Sequence, residues 1–354
     1  MLYGAKFDTL TLPGGEMEYV RFGSGPKTLV MLPGLGESLQ SMKGTQDAMA
    51  LMYRKFAESH TVYLFSRLQP LPEDCSTRTM ARDQKLAFDA LGICTADLVG
   101  ISMGGMIAQH LAIDYPEAVD KLVLVVTCAR SNPILEDSIR EWMRCAEKGD
   151  HTALMDSNVR RIYSAKYYRK NRWLIPIMGR VTRPKSYNRF FLQASACLHH
   201  DAFDGLKHIQ SPTLVIGGEK DVVLGAAPSR EIAGLIAGAE LIMYPDLGHG
   251  LYEEAKDFLR LVSGFLSRET AAAGTKIINT IPKKGGNPML IRGCQEGKVT
   301  PKLTEVKCPR CGEWVEVFIR MGGAIGETGT LISDETCACG CVLPAGSAER
   351  DYEQ

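Results

Sequence analysis

Six short runs of β-branched and aliphatic residues punctuate the chain: TLVMLP (Thr28–Pro33), TVYLFS (Thr61–Ser66), DLVGIS (Asp97–Ser102), KLVLVVT (Lys121–Thr127), TLVIGG (Thr213–Gly218) and ELIMYP (Glu240–Pro245). Segments with helical apolar spacing separate them, such as Met80 to Leu91 and Met106 to Ile113. Strands that are apolar on both faces and alternate with helices predict a mostly parallel, doubly wound α/β sheet covered on both sides. The alternation breaks at about 131–209, where helical segments carry Trp142, Tyr163, Tyr167, Tyr168 and Trp173 with no clear strand. Such an insertion is expected to cap the C-terminal edge of the sheet, where ligands of α/β folds bind.

The stretch SRETAAAGTK (Ser267–Lys276) reads as a linker, and beyond it the chain turns to glycine, proline, short strands and cysteine. The expected organisation is therefore 1–268 for the α/β domain, 269–300 for a linker and lead-in, and 301–354 for a small β-rich domain. Formal net charge is zero, which offers nothing global for nucleic acid or an anionic membrane. The N-terminal MLYGAKFDTL lacks a signal-peptide layout, and apolar stretches such as Leu122–Val126 are too short to span a bilayer. With eleven cysteines, an odd number, reduced thiols and a cytoplasmic location are expected.

Gly100-Ile101-Ser102-Met103-Gly104 has the form G-x-S-x-G, with a strand before it and MGGMIAQHLAIDYP, a helical pattern, after it. A serine at a sharp strand–helix turn with small neighbours is a candidate nucleophile. It needs a base, and the base needs an orienting acid. His249 in YPDLGHG follows the last apolar run, and Asp221 follows TLVIGGEK. Asp246 is a rival acid, but it is too near His249 in sequence to orient the ring easily. After TLVML come Pro33-Gly34-Leu35-Gly36, a glycine-rich turn.

In order and placement Ser102, Asp221 and His249 resemble the α/β-hydrolase superfamily over about residues 15–268, most closely its enol-lactonase and cofactor-free esterase branch with a helical cap. The resemblance implies an oxyanion hole from the amides of Leu35 and Met103, with Pro33 standing where relatives usually have histidine. It implies a serine hydrolase acting on a carboxylic ester, lactone or thioester through an acyl-enzyme, with no cofactor for catalysis. Acyl transfer, perhydrolysis and C–C hydrolysis by the same triad are the alternatives. Epoxide and haloalkane hydrolysis are disfavoured, because those relatives carry a carboxylate where Ser102 stands. A different class is an adaptor whose hydrolase-like portion serves as a binding platform.

Two features depart from that pattern. The loop SRLQPLPEDCSTRT (Ser66–Thr79) contains no glycine where relatives have a glycine-rich loop, which raises the expectation that Arg67 or Gln69 enters the site. From Arg160 to Arg189 there are ten Lys or Arg and no Asp or Glu, a wall suited to anionic small-molecule substrates or simply a solvated face. Trp173 is expected to be buried in the cap and His110 packed in the core; His199 and His200 precede Asp201 with no assigned role.

In the tail, Cys308-Pro-Arg-Cys311-Gly is a metal knuckle by spacing, and Cys337, Cys339 and Cys341 follow a strand-like WVEVFIRM. This resembles a zinc ribbon. The expected ligands are Cys308, Cys311, Cys337 and Cys339, with Cys341 as the alternative to Cys337. Four thiolates close the coordination sphere, so the zinc is expected to be structural; an iron site or a redox thiol cluster is the alternative. Cys294 has no evident partner. The tail is expected to dock a protein partner, mediate self-association or cover the hydrolase mouth.

Overall fold

The β-branched runs form the centre of one sheet. The computed structural model describes residues 2–268, 289–292, 302–308, 310–311, 314–320, 330–331, 335–336 and 341–343. The strands of the first unit are β1 (Lys6–Leu12), β2 (Gly15–Phe22), β3 (Lys27–Leu32), β4 (His60–Phe65), β5 (Ala96–Ile101), β6 (Val119–Val125), β7 (Thr213–Gly218) and β8 (Glu240–Tyr244). They lie in the order β1-β2-β4-β3-β5-β6-β7-β8. β1 and β2 pair antiparallel at one edge, and β4 to β8 run parallel with β3 among them. A further strand, β9 (Met289–Arg292), pairs antiparallel with β8 at the far edge, inside the stretch read from sequence as linker.

The helices are α1 (Gln46–Met52), α2 (Thr77–Ala90), α3 (Met103–Asp114), α4 (Pro133–Glu147), α5 (His151–Ile162), α6 (Ala165–Asn171), α7 (Ile175–Val181), α8 (Asn188–Leu198), α9 (Ala227–Leu235), α10 (Leu251–Glu254) and α11 (Phe258–Leu266). Alternate residues along each strand supply opposite cores. Val30, Leu98, Leu122, Leu124 and Val215 pack with Met80, Phe88, Ile107 and Leu111 of α2 and α3. Leu29, Val99, Val123, Val125 and Ile216 pack on the other face with Phe258, Val262 and Phe265 of α11. Full burial of each large apolar side chain contributes about 1.5–3 kcal/mol, and because both faces of a central strand are buried its sequence shows no polar alternation.

Five helices, α4 to α8, fill the interval between β6 and β7, which makes them the cap. Asn132 starts it, its side chain accepting hydrogen bonds from the Ile134 and Leu135 amides, with Pro133 at the first helical position. Two clasps hold the cap. Near its middle, Gly250 N–H donates to Ile162 O at 2.6 Å, Tyr163 donates to Glu253, and Ser164 donates to Glu254. Near its end, Arg189 reaches Glu37.

The second unit spans Cys294–Gln354. Its strands β10 (Lys302–Lys307) and β11 (Trp314–Arg320) form an antiparallel pair that β12 (Thr330–Leu331) extends, while β13 (Glu335–Thr336) pairs with β14 (Val342–Leu343). Among the described residues no helix is long and apolar enough to cross a membrane.

Candidate active site

Ser102 sits between the end of β5 and the start of α3 with φ 53° and ψ −120°. A non-glycine residue in that region is strained by about 1–3 kcal/mol and persists only where its surroundings impose it. Here they do: Ser102 N–H donates to Val125 O at 2.8 Å, and Ser102 O accepts from Thr127 Oγ1 at 2.8 Å. The neighbouring glycines are dictated by contact. A Cβ on Gly104 would run into the Leu32 carbonyl, and one on Gly100 would lie 2.6 Å from Gly104 O.

His249 bridges the other two residues singled out in the sequence. Its Nε2 lies 3.0 Å from Ser102 Oγ, and its Nδ1 lies 2.8 Å from Asp221 Oδ2. The second oxygen of Asp221 accepts the amides of Val223 at 2.8 Å and Leu224 at 3.1 Å, which fixes the carboxylate in the turn after β7. Asp221 and His249 are both buried. Asp246, the rival acid, is exposed and paired with Lys220 at 2.8 Å. The chain thus delivers serine, acid and base from three strand ends to one point.

Leu35 and Met103 each occupy the first position of a helix, Leu35 in the 3-10 turn Leu35–Leu39 and Met103 in α3. Amides there have no intrahelical acceptor and are free to bind a ligand oxygen. The two turns meet at Ser102: a Cβ on Gly34 would lie 3.2 Å from Ser102 Cβ.

Behind the Pro33–Gly36 turn lies a polar cluster that sequence reasoning missed in part. Arg67 is fully buried and donates to Pro33 O at 2.5 Å and Phe65 O at 3.3 Å. Glu37 accepts from Ser66, Arg189 and Gln193, and Ser66 O accepts from Gln84. Burial lowers the Arg67 pKa, with Glu37 opposing and Arg189 reinforcing the shift. Arg67 is therefore a buttress of the turn rather than a substrate contact. Gln69 exchanges two backbone hydrogen bonds with Glu16, both at 2.8 Å, extending the sheet edge. Nothing in the local sequence of Glu37 or Arg189 marks them as partners, because 152 positions separate them.

The remaining histidines stand apart. His110 and His200 pack edge to face at 5.3 Å between ring centres, and His200 Nδ1 is 2.9 Å from Thr77 Oγ1. Burial holds His110 down at about 4 and His200 at about 3, so both are neutral near pH 7. His199 is exposed. Trp173, expected inside the cap, is 66% exposed.

Of the expected metal ligands, Cys308 follows β10 and is buried, Cys311 lies in the turn before β11, and Cys341 precedes β14. Cys337 and Cys339 lie outside the described residues, as does Cys294. The described residues contain no group of three or more His, Cys, Asp or Glu placed to hold a metal ion.

With the triad geometry in view, comparison with known proteins is decisive for the family. Residues 27–256 match the α/β-hydrolase fold family. The chain belongs to that family. A 2-hydroxymuconate semialdehyde hydrolase from Pseudomonas sp. (strain CF600) is 32% identical over 193 residues, covering 52% of this chain and 66% of that protein. A putative carbamate hydrolase, RutD, from Klebsiella pneumoniae (strain 342) is 26% identical over 233 residues, or 64% of this chain and 85% of that one. The crystal structure of the enol-lactonase from Burkholderia xenovorans LB400 superposes with a TM-score of 0.61 at 21% identity, covering 74% of this chain and 100% of that one, a likeness of fold. These relatives are hydrolases by name, and the solved enol-lactonase shares the fold of this α/β-hydrolase.

Proposed function

We propose that this α/β-hydrolase is a serine hydrolase that cleaves a carboxylic ester, lactone or thioester of a small molecule. The bridge of His249 between Ser102 at 3.0 Å and Asp221 at 2.8 Å carries the reading. His249 Nε2 takes the Ser102 proton as Oγ attacks the carbonyl carbon, and Asp221 stabilises the resulting imidazolium. The Leu35 and Met103 amides receive the charge on the carbonyl oxygen, each such donor contributing about 3 kcal/mol to the transition state. The proton then passes from His249 to the leaving oxygen or sulfur, leaving an acyl-Ser102 ester. His249 next deprotonates a water that attacks this ester, and it returns that proton to Ser102 Oγ as the acyl–oxygen bond breaks and the carboxylic acid leaves.

Labelling of Ser102 by a fluorophosphonate, with Ser102→Ala and His249→Ala each abolishing turnover of an ester library, is the expected result. Folded protein that neither labels nor turns over an ester would move the reading to a binding platform. C–C hydrolysis by the same triad is the second reading, and 2-hydroxymuconate semialdehyde, the compound in the name of the 32% identical relative, is the substrate that tests it. Acyl transfer and perhydrolysis are tested by offering alcohols or peroxide as the acceptor in place of water.

For the tail, we propose a structural zinc held by Cys308, Cys311, Cys339 and either Cys337 or Cys341. The support is positional: Cys308 and Cys311 fall in the connection between paired strands β10 and β11, and Cys337 to Cys341 fall between paired β13 and β14. Two cysteine-bearing turns suit a tetrahedral thiolate set. Metal analysis of dialysed protein should find about one zinc per chain, lost in Cys308→Ser.

A further inference from the structure

The cap carries an outward face that the hydrolytic site does not use. Between the clasp at Ile162–Ser164 and the clasp at Arg189, Trp173 is 66% exposed, Ile177 53%, Met178 42% and Val181 78%. Trp173, Ile177 and Val181 recur at every fourth residue along the continuous helical stretch Arg172–Val181, formed by a 3-10 turn leading into α7. Residues four apart lie on one side of a helix, so the three form a row about 12 Å long. A contiguous apolar row of this kind on a water-facing surface marks an interaction site.

The charge around the row names the partner. Of the ten cations between Arg160 and Arg189, three are neutralised: Arg160 by Asp156, Arg161 by Asp137 and Glu141, and Arg189 by Glu37. The other seven, Lys166, Arg169, Lys170, Arg172, Arg180, Arg183 and Lys185, are all exposed, and no acidic residue lies in the sequence between them. An exposed tryptophan and aliphatic row set among cations is the composition of a segment that lies in the headgroup boundary of a bilayer, with the indole at the interface and the cations on lipid phosphates and carboxylates. A second copy of the chain is a poorer fit, because a two-fold contact would face these seven cations with the same seven. Nucleic acid leaves Ile177, Met178 and Val181 without a role.

We propose that the outer face of the cap, residues 166–185, docks this α/β-hydrolase on an anionic lipid bilayer. Trp173, Ile177 and Val181 enter the boundary between headgroups and acyl chains, and the seven free cations make binding depend on anionic lipid. A depression of about 530 Å³ beside the row is lined by Tyr168, Arg172, Trp173 and Pro176 together with the carboxylates Asp150 and Asp156, so the anionic headgroups are assigned to the exposed cations and not to this depression. The docking is independent of chemistry at Ser102, since none of the residues of this face hydrogen-bonds Ser102, Asp221 or His249.

The test is co-sedimentation of the full chain with vesicles of phosphatidylcholine alone and of phosphatidylcholine mixed with phosphatidylserine, with tryptophan emission recorded. Binding to the mixed vesicles only, weakened by salt and accompanied by a blue shift, is expected. Trp173→Ser should remove the shift and weaken binding about tenfold. Arg180→Glu with Arg183→Glu should weaken it at least about 25-fold, at about fivefold per basic residue lost. Both variants change exposed side chains and should keep wild-type turnover of a water-soluble ester, and the second keeps the test open if the first disturbs the cap. No partition into the anionic vesicles, equal partition into neutral ones, or undiminished binding by both variants would overturn the proposal. So would a concentration-dependent dimer that Trp173→Ser abolishes in protein that ignores vesicles.

Discussion

Glu37→Gln is the substitution through which the polar cluster behind the Pro33–Gly36 turn is best probed. The cluster holds two guanidinium groups, Arg67 with no exposed surface and Arg189 with its side chain 16% exposed, against one carboxylate, Glu37, 4% exposed. Removing the carboxylate's charge leaves two like charges facing each other out of water. Breaking a buried ion pair from one side costs about 3–5 kcal/mol. For a domain of this size that corresponds to a fall in Tm of roughly 6–20 °C. Arg189→Met removes one cation and leaves Arg67 and Glu37 as a neutral pair, so its cost is that of hydrogen bonds to a charged group, about 1.5–3 kcal/mol. Glu37 also belongs to the short helix that begins at Leu35. Its loss should therefore lower kcat by about tenfold or more through a displaced Leu35 amide, whereas Arg189→Met should do so less. Urea denaturation followed by circular dichroism and by loss of ester turnover measures both effects. A cost below about 1 kcal/mol for Glu37→Gln, or a larger cost for Arg189→Met, would refute the charge count.

Three further outcomes are expected. Asp221→Asn should reduce kcat by about four orders of magnitude, as loss of the orienting carboxylate does in such triads, while Asp246→Asn on the exposed Lys220 pair should leave it unchanged; the reverse would reassign the acid. Gly104→Ala should destabilise by about 3 kcal/mol because its Cβ meets the Leu32 carbonyl, whereas Gly36→Ala, with open space around its Cβ, should stay within about 0.5 kcal/mol in urea melts. For pH, burial holds His110 at about 4 and His200 at about 3, below their ordinary 6.5, so the unfolded chain binds more protons and stability falls as pH drops below 6.5. Each histidine contributes up to about 1.4 kcal/mol per pH unit; because burial also lowers the His151 pKa, His110→Phe should remove clearly less than half of the slope measured between pH 7 and about 5.5. Asp83 and Glu253, whose burial raises their pKa, act with the opposite sign at lower pH, and a slope unaltered in His110→Phe would remove the histidine account.

The sheet was legible in the sequence because a strand buried on both faces must be apolar at nearly every position, as in Leu122–Val125. That Ser102, Asp221 and His249 would meet was legible for a related reason: each follows an apolar run, and the order of the runs determines which strand ends become neighbours. Charge pairs obey no such local rule. Glu37 and Arg189 meet across 152 positions because the cap folds back on the Leu35–Leu39 turn, and the residues flanking either one say nothing of the other. Composition misled in the same way. A net charge of zero offers no global pull toward an anionic surface, yet it sums a segment of cations, seven of them exposed and unpaired by acid, with an equal excess of Asp and Glu in the rest of the chain. The same folding that buries Trp142 in the core leaves Trp173 on the outside, and helical spacing alone assigns both to the cap. What separates them is which side of each helix meets the sheet, a property of the packed chain. The exposure of Trp173, Ile177 and Val181 carries a cost in water that a soluble small-molecule hydrolase has no reason to bear, and a surface that covers them gives that cost a purpose.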